Sequence, residues 1–306
     1  MALRPDTWEI DMVRNNNIGQ IILNIIFVIL CIAAVGPFVL LVSSSLTEES
    51  TLAAYGYSFW PRRFSLEAYK YLFQNGSRIA RGYGITILVT VVGTFLSVLF
   101  TVLFAYPLSR KNLPGRKFVS FYVFFTMLFN GGLVPTYIMW TQTFHIKNTI
   151  WALIIPSLLM NAFYIIMMRS FFTANIPDEL IEAARIDGAG EYTILFRIVM
   201  PLSKPMLATL TLMIGLGYWN DWMNSLYYVT DEKLFSIQAI LNTIITNIQF
   251  LQSSQSAATH SGLAASMPSV GIRMAIAVIG IVPVLCIYPF FQKYFVRGIV
   301  VGGVKG

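Results

Sequence analysis

Apolar residues in this chain gather into long blocks without charge, not into short alternating runs. A bilayer core about 30 Å thick needs roughly 20 apolar residues of helix to cross it. Six stretches meet that need: Ile18 to Ser43, Gly82 to Ser109, Phe118 to Trp140, Thr149 to Met168, Pro205 to Asn220 (with an extension toward Val229), and Met274 to Phe291. Continuous blocks of this length speak against a β-barrel, whose strands alternate over about 10 residues. A further uncharged stretch, Leu234 to Leu251, has a different pattern. Leu234, Ile237, Leu241, Ile244, Ile248 and Leu251 recur at helical spacing, with Gln238, Asn242, Thr246 and Asn247 between them. It reads as an amphipathic helix lying against the bundle or the interface. The expected fold is therefore an all-α integral membrane protein with six transmembrane helices.

Composition removes most other classes. Of 306 residues, 56% are hydrophobic and 11% charged, and the mean hydropathy is +0.67. Soluble domains carry about 25% charged residues, so a soluble enzyme, a disordered chain and a nucleic-acid-binding protein are all excluded. Lys and Arg exceed Asp and Glu by 21 to 14, a surplus that in a membrane protein reports loop orientation. With the N-terminus inside, 13 of the 21 basic residues fall on internal segments, including Arg110, Lys111, Arg116 and Lys117 in one short loop without acids. Both termini are expected to be cytoplasmic. The first apolar block exceeds the ~7–15 residues of a signal-peptide core and has no small-residue cleavage site after it, so it is expected to stay as a helix. Cys31 and Cys286 lie inside apolar blocks and read as small hydrophobes, not as a disulfide.

Two outer segments are long, about 44–81 and 221–273. The second includes the Ser-, Ala-, Gln- and Thr-rich stretch Gln252 to Ser269, read as a flexible loop. The first carries Tyr55, Tyr57, Phe59 and Trp60, which fit an interfacial aromatic belt better than a ligand surface. Chemistry-bearing patterns are sparse. The chain has no G-x-x-x-x-G-K-[ST] loop and so is not expected to hydrolyse ATP. No His/Cys/Asp/Glu group has metal-ligand spacing, and His145 and His260 both fall in outer loops. The span interiors lack ionisable residues apart from Asp221 at the end of the fifth, which counts against an ion-coupled carrier or an intramembrane enzyme.

The internal segment after the fourth span is the most informative. It reads Asn-Ile-Pro-Asp-Glu-Leu-Ile-Glu-Ala-Ala-Arg-Ile-Asp-Gly-Ala-Gly from Asn175 to Gly190, and continues to Pro201. Pro177 suits a first helical position, Asp178 and Glu179 complement the helix dipole, and Gly188 suits the helix end. A second helix carries Ile194, Leu195, Ile198 and Val199 up to Pro201. Ala183 and Ala184 make a slim face for close approach to another protein, and Glu182, Arg185 and Asp187 can orient it there. The segment is a compact docking element.

Glu182-Ala183-Ala184, then Gly188, then Ile198-Val199-Met200-Pro201 are similar to the EAA loop, E-A-A-x3-G-x9-I-x-L-P, of ABC-importer permeases, with Met200 in place of Leu. The resemblance covers nearly the whole chain. Phe64-Ser65-Leu66-Glu67-Ala68-Tyr69, Ala105-Tyr106-Pro107-Leu108-Ser109-Arg110, Trp219-Asn220-Asp221 and the terminal Gly302-Gly303-Val304-Lys305-Gly306 resemble carbohydrate-uptake permeases of the MalG-like family. Asn130-Gly131-Gly132-Leu133-Val134-Pro135 most resembles the LplC/YtcP-like branch of Gram-positive oligo- and polysaccharide importers.

That resemblance implies a type I importer transmembrane-domain fold in one permease domain, 1–306. Its core would be near 82–292, with the coupling loop at 169–204 and the outer loops at 44–81 and 221–273. It implies a coupling helix formed around Glu182, Ala183, Ala184, Arg185, Asp187, Gly188 and Ala189, seated in a cytoplasmic ATPase. The tail residues Gly302, Gly303 and Lys305 would also reach the ATPase side. The implied partners are a second permease, two ATPase subunits that hold the ATP and Mg, an extracellular substrate-binding lipoprotein, a carbohydrate and membrane lipids, with no nucleic acid and no cofactor in this chain. The implied location is a bacterial, Gram-positive cell membrane.

The substrate path is less marked. Trp219, Asn220 and Asp221 either line it, contact the binding protein, or form an aromatic anchor with polar caps. Asn161 and Asn130 are polar positions within spans, open to interhelical hydrogen bonding or to the path. The alternatives are an importer permease for a non-sugar solute such as a peptide, an ion-coupled secondary carrier, and a membrane-embedded enzyme.

Overall fold

The uncharged block at the start of the chain forms one helix of 29 residues, Asn17–Ser45. The computed structural model describes residues 17–74, 76–254 and 269–302. The helices in chain order are α1 (Asn17–Ser45), α2 (Glu49–Tyr55), α3 (Glu67–Gln74), α4 (Gly76–Ser109), α5 (Arg116–Leu128), α6 (Leu133–Thr143), α7 (Trp151–Ile154), α8 (Ala162–Asn175), α9 (Asp178–Ile186), α10 (Glu191–Leu202), α11 (Lys204–Asn220), α12 (Met223–Tyr228), α13 (Ile237–Ser254) and α14 (Ser269–Gly302). Among the described residues no strand occurs, and Thr47 and Phe64 form an isolated antiparallel bridge. The chain divides into two units, Met1–Leu72 with Ala265–Ile279, and Phe73–Ala264 with Gly280–Gly306.

In the first unit, the apolar side chains of α1 are exposed from Ile21 to Val39, Leu40 and Leu41 are half-buried, and Ser43, Ser44 and Ser45 are buried. A helix that is apolar on nearly every side and left largely uncovered by the described residues of its own unit suits a membrane. Glu49 reaches the start of α14, where its carboxylate accepts from the Val270 N–H at 2.9 Å and the Gly271 N–H at 2.8 Å. A carboxylate there satisfies two N–H groups that lack intrahelical partners and complements the helix dipole.

The second unit is built around α4, against which α8 and α11 pack. Its buried face is rich in small or polar residues, Gly82, Thr86, Gly93, Thr94, Ser97, Thr101 and Ala105, interspersed with Val89 and Val102, and its exposed face carries Ile87, Val91 and Phe95. This inverts a water-soluble helix and follows from membrane packing, where small residues let backbones approach and large apolar ones meet lipid. A Cβ at Gly93 would lie 2.6 Å from the Tyr218 ring, and one at Gly82 would lie 2.6 Å from Ile240 of α13. The expected amphipathic helix is present as α13, with Ile237, Leu241 and Ile248 buried. Thr86 Oγ1 accepts from the Ile237 N–H at 2.8 Å.

Among the described residues, three helices are long and apolar enough to cross a membrane: Gly19–Ser45, Gly76–Ser109 and Val270–Phe290. Two bent pairs would raise the number to five among the described residues: α5 with α6, at 112°, and α10 with α11, at 86°. The expectation of a continuous third span from Phe118 to Trp140 is corrected. Gly132 has φ +83°, a conformation that favours glycine, and the Asn130 side chain accepts from its N–H at 2.9 Å, which together turn the chain between α5 and α6. Asn130 thus makes a local turn bond.

The fourth expected span, Thr149 to Met168, is likewise not one helix. Between α7 and α8 lie Pro156, which cannot donate, and Ser157, at φ +63°. Carbonyls in and beside this break take side-chain donors from other elements: Tyr218 Oη to Ile154 O at 2.9 Å, Asn224 Nδ2 to Pro156 O at 3.1 Å, and Ser97 Oγ to Leu158 O at 3.3 Å. Irregular backbone inside a helical bundle is tolerated where protein groups satisfy it in this way.

Candidate functional site

The short helix α9 follows the residue types at its ends. Pro177 immediately precedes it with extended backbone, one position earlier than expected, and Asp178 and Glu179 fill the first turn. At the other end Gly188 has φ +81°, its N–H bonds to Arg185 O at 3.0 Å, and the Ala189 N–H bonds to Ala184 O at 2.9 Å. These two bonds satisfy the last carbonyls and turn the chain sharply, and a side chain other than glycine would be strained at that φ. Ile181 and Ala184 are buried in the core with Phe172, Ile194 and Val199. Glu182, Ala183, Arg185, Asp187 and Gly188 are exposed, and Ala189 is half-buried. Ile186 is 86% exposed and Tyr192, just beyond the turn, 74%.

Both ends of α9 are tied to the end of α4. At the start, Asp178 pairs with Lys111 Nζ at 2.9 Å and with Arg110 at 3.4 Å. Past the turn, Tyr106 Oη donates to Glu191 Oε2 at 2.8 Å, while Arg185 donates to Glu191 Oε1 through Nε at 2.9 Å and through its terminal nitrogen at 2.7 Å. The Arg110 guanidinium lies 5.3 Å from the centroid of the Tyr106 ring. The Lys111 hydrogen bond lowers the Asp178 carboxyl below its usual range. Burial opposes ionisation of Glu191, but the Tyr106 hydroxyl and Arg185 guanidinium outweigh it and hold that carboxyl low as well. Both acids are thus ionised at neutral pH. A cavity of about 540 Å3 lies beside this bracket, lined by Tyr106, Pro107, Arg110, Arg185, Glu191 and Tyr192 among others.

The structure therefore brings Glu182, Ala183, Arg185, Asp187 and Gly188 together, but turns Arg185 back onto Glu191 instead of leaving it to face outward. Sequence reasoning missed the bracket itself. Tyr106 and Arg110 stand in a quoted motif and Glu191 in the insert, yet nothing periodic links positions 85 residues apart.

The other expected residues are dispersed. Trp219 is buried, its Nε1 donating to Gly280 O at 3.2 Å and its ring 6.2 Å from that of Tyr83, so it is not an exposed anchor. It forms part of the wall of a largely apolar cavity of about 670 Å3 together with Thr90, Thr94, Thr211, Gly215 and Tyr288. Asn220 is exposed and bonds to Leu216 O at 3.0 Å. Asp221 accepts from the N–H groups of Met223 and Asn224 at 3.2 and 3.3 Å and so starts α12. Asn161 accepts from the Phe163 N–H at 2.9 Å and caps α8, a local bond instead of an interhelical one. Gly302 ends α14; Gly303 and Lys305, like Arg4, Arg14, His260 and most of the 252–269 loop, lie outside the described residues.

A helical membrane bundle that hangs a short exposed helix from the end of a buried span has the parts of a transporter's permease component. Residues 91–301 match the family described as binding-protein-dependent transport system inner membrane component, and the chain belongs to that family. Protein LplC of Bacillus subtilis (strain 168) is 36% identical over 305 residues, covering 97% of this chain and 99% of LplC. The polygalacturonan/rhamnogalacturonan transport system permease protein YtcP of the same organism is 36% identical, over 92% of this chain and 95% of its own. In a solved structure, a chain of a bacterial ABC transporter involved in the import of the acidic polysaccharide alginate matches with a TM-score of 0.75 and 29% identity, over 92% of this chain and 98% of that one. The resemblance read from the EAA pattern and its flanking motifs is borne out, including its LplC/YtcP-like branch.

Proposed function

We propose that this permease carries an oligosaccharide or polysaccharide fragment across a bacterial cell membrane, driven by a pair of ATPase subunits, one of which docks on α9. The feature that carries the reading is the exposed strip Glu182, Ala183, Ile186 and Gly188, held on a helix fixed at both ends to the end of α4. A docking surface that is to transmit force needs both properties. Ile186 and Tyr192 offer apolar contact area, and Glu182 and Asp187 offer charge to set orientation. The carbohydrate assignment rests on the named substrates of YtcP and of the alginate importer.

The six spans of this reading are α1, α4, α5 with α6, α7 with α8, α11 and α14, with α9 and α10 at the cytoplasmic surface and both termini inside. The chain acts as one permease domain with its core near 82–292, consistent with the family match over 91–301. It pairs with a second permease and receives cargo from an extracellular lipoprotein, while ATP and Mg belong to the ATPase subunits. The tail around Gly302, Gly303 and Lys305 also faces the ATPases, and the relatives from Bacillus suit a Gram-positive host. ATP-driven closure of the ATPase pair moves α9 and shifts the bundle between inward- and outward-open states, through contacts that differ between the two.

The test is to purify the full chain with its co-expressed partners and measure uptake into proteoliposomes. Oligogalacturonide uptake with stimulated ATP hydrolysis supports the reading. Uptake of a peptide but no saccharide overturns the cargo, and transport by this chain alone overturns the importer mechanism.

A further inference from the structure

The aromatic run of the first unit is displayed by a closed loop. The chain leaves α1 at Ser45 and returns to it at Phe64, with the loop shut at its base. There the Glu48 N–H bonds to Arg63 O at 3.0 Å and the Ser65 N–H to Leu46 O at 2.9 Å, on either side of the Thr47–Phe64 bridge. Thr47 Oγ1 donates to Ser43 O at 2.7 Å, and the hydroxyls of Ser45 and Tyr69 lie 2.8 Å apart, which pins the base to the last turn of α1 and to α3. Glu49 fixes the other side of the loop to the N–H groups at the start of α14.

On this anchored frame the tip is bare. Trp60 is 83% exposed, and Tyr55, Tyr57, Phe59 and Phe64 are exposed too. Arg62 lies over the Tyr55 ring at 4.8 Å. Buried aromatic side chains are worth about 150–250 Å2 of contact each, so so many left uncovered mark a surface made for a partner.

Position along the chain selects that partner. The exposed apolar side chains of α1 end at Val42, and the loop base begins five residues later at Thr47. At about 1.5 Å per helical residue this places the base within about 8 Å of the end of the apolar face, the depth of phospholipid headgroups. Indole and phenol rings beside guanidinium groups match that layer, with apolar bodies for the upper acyl chains, N–H and O–H groups for the carbonyl region and cations for phosphate.

We propose that the Tyr55–Trp60 tip is a bilayer anchor seated at the headgroup–acyl boundary next to the end of α1. Together with the Glu49 clamp it fixes the depth of α1 and of the start of α14. The proposal rests on α1 crossing the membrane, and the experiment separates the two.

The full chain with its partner subunits is reconstituted in vesicles of phosphatidylethanolamine and phosphatidylglycerol, without the binding lipoprotein. The Trp60 emission is taken as the difference between the wild type and Trp60→Phe. Lipid brominated just below the headgroup should quench that emission at least about twofold more than lipid brominated near the bilayer centre, and aqueous iodide should quench it little. Quenching by iodide and not by brominated lipid overturns the anchor, whether or not added lipoprotein then shields Trp60; shielding would assign the surface to a protein. In Ile29→Trp, made in the Trp60→Phe background, the added emission should be quenched by the deep bromolipid. If it is, a negative Trp60 result counts against the anchor alone; if not, the crossing of α1 fails as well and the anchor with it.

Discussion

Helices α1 and α4 come from blocks that look alike in sequence, both uncharged over the length of a bilayer, yet they have opposite surroundings. Among the described residues, none of the apolar stretch of α1 is buried, against 33% of that of α4. The difference lies in the small and polar residues. On α4 they recur along one face, Thr86, Gly93, Thr94, Ser97 and Thr101, and that face meets protein. On α1 the buried ones are confined to the end, Ser43 to Ser45, while Asn24, Ala33 and Ala34 along the helix are exposed. Hydrophobicity thus assigns both helices to the membrane, whereas the placement of small residues decides which can support machinery. The bracket around α9 hangs from α4.

The strongest way to break this contrast is to enlarge one glycine on each helix. Gly93→Leu drives a side chain into the Tyr218 ring, which cannot swing away without losing its bond to Ile154 O. The expected cost is about 3 kcal/mol, read as a large drop in melting temperature of the detergent-solubilised protein. Gly36→Leu on α1 meets nothing within 4 Å and should change stability by less than about 0.5 kcal/mol. Equal effects would erase the distinction.

Next comes Gly188→Val in the turn carried by α4. A β-branched residue at φ +81° costs about 1–2 kcal/mol and should abolish substrate-stimulated ATP hydrolysis and uptake while membrane insertion persists. Retention of both activities would refute the docking role of α9.

Tyr106→Phe removes one hydrogen bond to a partly exposed carboxylate, worth about 1 kcal/mol. It should weaken coupling, measured as transport per ATP hydrolysed, more than it lowers the melting temperature, whereas Phe27→Ala on α1 should leave coupling alone. The smallest effect is that of pH. Asp178 and Glu191 are held below their usual ranges, so the bracket's contribution is complete above the ordinary carboxylate values of about 4 and is lost as pH falls through the lowered ones. Coupling should be flat between about pH 8 and 6, and solvent screening keeps the stability share of the Arg185–Glu191 pair below about 1 kcal/mol. A decline within that range absent from Glu191→Gln would contradict the sign.

Much of the fold was legible because each local choice repeats. Uncharged blocks gave α1, α4, α11 and α14, a 3.6-residue period gave α13, and glycine, alanine and acidic residues at set offsets gave α9 with its end at Gly188. The breaks were not legible as breaks. Asn130-Gly131-Gly132 and Pro156 are visible in the sequence, but apolar flanks outweigh two or three turn residues in any average over a span. Asn161 and Asp221 looked like candidates for the path because a polar residue near an apolar block suggests function. Each instead satisfies main-chain N–H groups within three residues of itself.

The sequence by itself determined that this chain lives in a membrane, which long segments are helical, and where the short helix α9 begins and ends, since these depend on hydropathy, spacing and local backbone preference. Only the tertiary structure decided that Tyr106, Arg110 and Lys111 hold that helix at both ends, that Trp219 is walled in, and that Tyr218, Asn224 and Ser97 satisfy carbonyls in and beside the break between α7 and α8. Those bonds join residues from 61 to 85 positions apart. No periodicity encodes such pairings; they follow from how closely a face of glycine, serine and threonine lets the helices approach.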